Sequence, residues 1–186
     1  YRSTPGSVNG SKPYDGLDAP PDQYGTWYAG MIIGLDVTIS DDTIEFGQIE
    51  PGASPTNQTN NITVATGAVD GYTIYTWSSQ PMTFGSNTIV DWSGTNQTPS
   101  EWTTGEGFGY STNDITLTGP GDQDRFSGPK YAGFGHTGPG LPVADRSEPT
   151  LSSDGQNTIT YRLGTSAVTA AGAYSSTVIF DVVPQY

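Results

Sequence analysis

The stretch TWYAGMIIGLDVTI, residues 26–39, alternates with a period of two. Trp27, Ala29, Met31, Ile33, Leu35, Val37 and Ile39 share one face, and Tyr28, Gly30, Ile32, Gly34, Asp36 and Thr38 share the other. Such alternation predicts a β-strand with one buried face. At ~3.3 Å per residue the run would extend roughly 43 Å, whereas strands in globular domains usually hold about 5–6 residues. A strand this long either bends across two sheets of its own domain or has its first half in another subunit. Gly30 and Gly34 thin the second face, which suits insertion between two close neighbours.

The 186 residues suffice for one sizeable domain with a core. Beyond the long run, apolar residues come in short stretches punctuated by 25 Gly and 14 Pro, with Asn, Asp, Ser and Thr between them. No window carries a helical stripe, so the pattern predicts an all-β chain with many turns. Strands are expected at Thr43–Phe46, Asn61–Thr66, Gly71–Ser78, Thr88–Trp92, 108–111, 114–118, 130–134, Asn157–Leu163 and Tyr174–Val183. Their number and spacing predict a β-sandwich of immunoglobulin or jelly-roll type over residues 36–186, with a loop-rich insertion at about 93–150. Residues 1–35 read as an N-terminal arm. Its first 25 residues hold Pro5, Pro13, Pro20 and Pro21 and no core pattern, the composition of a tail or linker rather than of a central strand.

The formal net charge is -13, with six Lys and Arg in all. A surface this acidic repels nucleic acid and anionic lipid and attracts cations. With no cysteine, thiol nucleophiles and Cys-based metal sites are excluded. No stretch reaches the ~20 apolar residues of a membrane span. The acidic, Lys-poor and Ser/Thr-rich composition points outside the cell, and a chain that opens on Tyr1 is expected to have lost a leader.

Residues for chemistry are sparse. His136 is the one histidine, in a Gly-rich loop, and no G-x-S-x-G elbow occurs, so no enzyme is expected. Asp114, Asp122 and Asp124, with Asn113 beside them, form a candidate Ca²⁺ cluster of loop oxygens. Trp77 and Trp92 are expected to pack in the core or between sheets. Trp102, in the 93–105 loop, is expected to be exposed and is the candidate glycan contact. Asn-x-Ser/Thr triplets mark Asn9, Asn57, Asn61 and Asn96 as candidate glycosylation sites.

The run IEFGQIEPGASPTNQTNNITVATGAVDGYTIYTWSS (44–79), the segments EGFGYSTND (106–114) and GPKYAGFG (128–135), and the ending NTITYRLGTSAVTAAGAYSSTVIFDVVPQY (157–186) resemble secreted β-sandwich surface proteins of candidate-phylum-type bacteria. A looser similarity runs to WxL-type wall-binding domains and to spore-coat-protein-U-like pilins. The chain lacks the cysteines of those pilins and the Trp-x-Leu pair of the wall-binding domains. The resemblance implies a cell-surface location, a pilin-like sandwich and an N-terminal extension that donates a strand to the next subunit. On that expectation Trp27, Ala29, Met31, Ile33 and Leu35 face a groove in a neighbouring copy, and the chain is a subunit of a head-to-tail homopolymer, an extracellular filament or pilus. The alternative is a monomeric surface adhesin or glycan-binding module acting through residues 93–150, with surface glycans or other cells as partners.

Overall fold

The computed structural model describes residues 34–103, 105–119 and 124–186. The sequence expectations for Trp27, Ala29, Met31, Ile33, Asn9 and Asp122 lie outside the described residues. Within the described part every regular element is a strand, and the sheets are antiparallel, giving a sandwich-like all-β body.

One sheet has four strands, in the order β1 (Leu35–Ile39), β2 (Thr56–Thr66), β10 (Gln156–Gly164), β7 (Gly107–Thr112). The second has three, in the order β11 (Val178–Pro184), β3 (Tyr72–Ser78), β9 (Leu141–Arg146). Two short hairpins complete the fold, β4 (Met82–Phe84) with β5 (Asn87–Ile89), and β6 (Ser100–Glu101) with β8 (Lys130–Tyr131).

The pleat assigns the core. In β3, Tyr72, Ile74, Thr76 and Ser78 are buried and the alternate residues are half-buried. In β10 the alternating buried residues are Asn157, Ile159, Tyr161 and Leu163, with Gly164 buried at the strand's end. These faces join Ile62 and Val64 of β2 and Phe108 and Tyr110 of β7 in one apolar cluster. Phe134 is its hub, with its ring centroid 4.6 Å from that of Tyr110 and 5.1 Å from that of Phe108. Two buried tyrosine hydroxyls are paired with asparagine amide nitrogens, while the Oδ1 atoms of the same two asparagines are buried without a partner among the described residues. Asn157 Nδ2 donates to Tyr72 Oη at 2.8 Å, and Asn96 Nδ2 donates to Tyr110 Oη at 2.8 Å.

Several expected strands differ. The long alternating run is described as β1 from Leu35 only. Thr43–Phe46 keeps its alternation, with Ile44 and Phe46 half-buried, but is no strand, and no backbone among the described residues pairs with it. Residues 114–118 form a turn around Asp114, whose side chain takes the Thr116 N–H and competes with a ladder. The 93–150 stretch, read as a loop-rich insertion, supplies β7 to one sheet and β9 to the other. In β9, Pro142 is accommodated at a register shift opposite Ile74 and Tyr75, on a strand at the sheet's margin.

Candidate functional site

The two sheets do not close on each other at the β1 and β11 margins. A cleft of about 1050 Å³ opens there onto the core. One wall is residues 41–51, which leave the end of β1. The other is residues 169–180, which lead into β11. Phe108, Tyr161 and Leu163 form the floor, and Ile44, Phe46, Tyr174 and Phe180 line the sides.

Each wall is fixed by polar contacts. Ser40 Oγ donates to Asn60 Oδ1 at 2.8 Å, and Asn60 Nδ2 donates to Asp41 O at 2.8 Å, anchoring the first wall where β1 ends. Thr165 Oγ1, just ahead of the second wall, donates to Glu50 O at 3.1 Å and ties the chain that enters that wall to the first wall. Ser175 and Thr83 exchange backbone bonds of 3.0 and 3.1 Å, holding the second wall to β4. Gly172 lies so close to Phe84 that a Cβ there would meet the ring at 2.0 Å. Glu106 clamps the start of the second wall by accepting from the Ser166 hydroxyl at 2.8 Å and from the Thr169 hydroxyl. Burial alone would raise the Glu106 carboxyl, but the Thr169 and Ser166 hydroxyls and the Ser166 N–H together hold it below the usual value.

The cleft leaves β1 uncovered. All five β1 residues are exposed, including Leu35, Val37 and Ile39, whose side chains lie on the core side of the sheet. By contrast, the opposite margin of the same sheet is protected, since β7 is bonded by Val90 and Trp92 and by Ala132.

The remaining sequence candidates fall elsewhere. Trp102 is buried, 6% exposed, which corrects its reading as an exposed glycan contact. It stacks on Trp92 at 4.2 Å between centroids and carries the Arg162 guanidinium over its ring. Trp77 lies on the outer face of β3, half-buried, with its ring packed against Gly138. Asn96 is buried and its amide is consumed by Tyr110 and the Pro142 carbonyl, so in the folded chain it is no glycan acceptor. Asn57 is exposed on β2, and Asn61 is half-buried there, accepting from the Thr158 hydroxyl.

Of the Ca²⁺ candidates, Asp114 and Asp124 are described, and each is engaged by protein donors. Asp114 is buried, accepting from Thr116 N–H at 2.9 Å, Thr116 Oγ1 at 2.6 Å and Asp145 N–H at 2.6 Å, and it pairs with Arg146 at 3.2 Å. That engages the acceptor capacity of its two oxygens. Asp124 caps a turn by accepting from Phe126 N–H at 2.9 Å. Among the described residues no group of three or more acidic, His or Cys side chains is arranged to hold a metal ion.

One arrangement had no local signal. His136 Nδ1 lies 2.9 Å from Ser78 Oγ, and His136 Nε2 lies 2.7 Å from Asp91 Oδ2. The row brings together residues 58 and 45 positions apart in the chain. Ser78 is 0% exposed and its hydroxyl also donates to Gln80 O at 3.2 Å, so the serine oxygen has no open approach. The row braces the end of β3 against the 91 and 136 loops. Burial raises the Asp91 carboxyl, and its hydrogen bond and charge pairing with His136 offset this only in part.

Compared with protein-family models, curated proteins and solved structures, the chain matches none. No helix among the described residues is long and apolar enough to cross a membrane.

Proposed function

We propose that this chain is the structural subunit of an extracellular filament that polymerises by donor-strand exchange. Residues about 26–34 of one copy, with Trp27, Ala29, Met31 and Ile33 on the inserted face, occupy the cleft of the next. The observation that carries this reading is the open seam between residues 41–51 and 169–180, floored by core residues and sized for a segment of chain. Main-chain bonds would supply affinity and the alternate side chains would set register.

Two further features support it. Leu35 pairs with Thr66, the last residue of β2, so β2 offers nothing to pair with residues before Leu35. The resemblance of residues 36–186 to secreted surface sandwiches and pilins points to the same pilin-like device. A head-to-tail contact of this kind does not close on itself and propagates as a fibre.

The test is negative-stain microscopy with light scattering on the full chain and on Met31→Asp/Ile33→Asp. Fibres from the parent that persist on dilution, and a dispersed, folded double variant, are the expected results. A parent that stays monomeric at every concentration overturns the proposal and leaves the monomeric adhesin. A double variant that still forms fibres removes the inserted segment from the assembly.

A further inference from the structure

Both sheet margins at the cleft carry backbone with no partner among the described residues. The phase of each ladder says which residues supply it. In an antiparallel pair, residues alternate between those bonded to the partner and those whose N–H and C=O point the other way. On β11, Ser79 N–H bonds Thr177 O and Gln185 N–H bonds Gly71 O, in register with the β11–β3 ladder. Ile179, Asp181 and Val183 therefore bond β3, and Val178, Phe180 and Val182 direct their N–H and C=O to the free side. On β1, Ser40 N–H bonds Asn61 O, so Leu35, Val37 and Ile39 direct theirs to the free side.

We infer that the incoming strand completes the three-stranded sheet, pairing with the free edge of β11 through Val178, Phe180 and Val182 and lying with Thr43–Phe46 on its other side. The inference rests on the donor-strand reading and specifies its acceptor. Val178 and Phe180 line the cleft, and Val182 continues the same edge. Of β1, Ile39 alone reaches the cleft lining. Residues Thr43–Phe46 have the alternation of a strand and make no backbone-to-backbone bond with any described residue. A strand laid beside Thr43–Phe46 would therefore meet N–H and C=O groups that no described residue engages. With the donor seated, the order becomes Thr43–Phe46, donor, β11, β3, β9.

Val178, Phe180 and Val182 also turn their side chains toward the core. A strand added beside them places its own alternate side chains in the same layer, over the cleft floor. The occupant is thus a second copy's residues 26–33, whose apolar face has that period.

The absence of native cysteine makes the test direct. Asp181 is exposed on the outer face of β11, and Thr38 is exposed on the outer face of β1. Each sits where a partner on the free side would be a non-hydrogen-bonded pair, with Cα atoms about 4.5 Å apart, inside disulfide range. Asp181→Cys is combined in the same chain with Tyr28→Cys, Gly30→Cys or Ile32→Cys in turn. Thr38→Cys is combined with the same three. Fibres are treated with copper phenanthroline and run on a non-reducing gel. A ladder of covalent oligomers from at least one Asp181→Cys pair, and none from the Thr38→Cys pairs, is expected. Ladders from the Thr38→Cys set alone overturn the β11 assignment and leave strand exchange standing. Fibres that ladder with neither set overturn both.

Discussion

Ile39 and Ile62 stand directly opposite each other across the β1–β2 ladder, on the same face of the sheet, yet Ile62 is 1% exposed and Ile39 is 44% exposed. The same side chain does two jobs according to what lies above it. Truncating Ile62 removes a core contact and leaves a cavity, so Ile62→Ala lowers stability by ~2–5 kcal/mol. Ile39→Ala loses only partial burial, about 1 kcal/mol. Denaturant melts of the two variants, run under conditions that keep the chain monomeric, check the difference. On the proposed donor-strand reading, the Ile39 variant is expected to show its larger effect in light scattering, because Ile39 lines the cleft.

Acid acts on the cleft wall through Glu106. Its carboxyl is held below the usual value of 4.5. The stability it contributes is complete above that value and is lost as pH falls through the lower, folded-state value. Glu106→Gln flattens this acid limb in a series of melting temperatures from pH 2 to 7. If the wall clamp matters for assembly, scattering falls over the same window in the parent.

Asp91 behaves in the opposite sense. Its carboxyl is raised from 3.8 by burial, with the His136 bond and charge opposing. Between 3.8 and the raised value the folded chain holds a proton that the unfolded chain has released. Stability therefore falls as pH rises through that window. Asp91→Asn abolishes this slope while keeping an oxygen for His136. The comparison is the difference between parent and variant melting temperatures across the same pH series.

Two glycines separate conformational strain from collision. Gly71 has φ +73 and a Cβ there would meet Arg146 O at 2.0 Å, whereas Gly85 has φ +59 and open space around it. Gly85→Ala should lose about 1–2 kcal/mol for the left-handed backbone alone. Gly71→Ala should lose more, because the β9 backbone must also move. Equal losses in urea melts would mean that Arg146 yields freely.

Period-two reading found β3, β7, β10 and much of β2, where one face of each strand is buried and the alternation is therefore written into residue type. It failed where pairing, not polarity, decides. Thr43–Phe46 alternates but has no partner among the described residues, and β9 was hidden by Gly138, Pro139, Gly140 and Pro142, which read as loop and are tolerated at a margin with a register shift. Trp102 was misplaced because its cover comes from Trp92, Tyr131 and Arg162, two of them distant in sequence. The Ser78–His136–Asp91 row was invisible for the same reason. Of the long alternating run at 26–39, only its end is described, as β1 with Leu35, Val37 and Ile39 exposed.

The cleft also has a thermal consequence. Ile44, Phe46, Tyr174 and Phe180 give its sides an apolar part, so a chain segment that covered them would bury apolar surface, and on the proposed donor-strand reading the association would carry a negative heat-capacity change. Near room temperature the driving force for such burial is largely entropic and weakens on cooling. A contact built on Ile44, Phe46, Tyr174 and Phe180 is therefore expected to loosen on ice and to strengthen as the sample is warmed toward 25 °C.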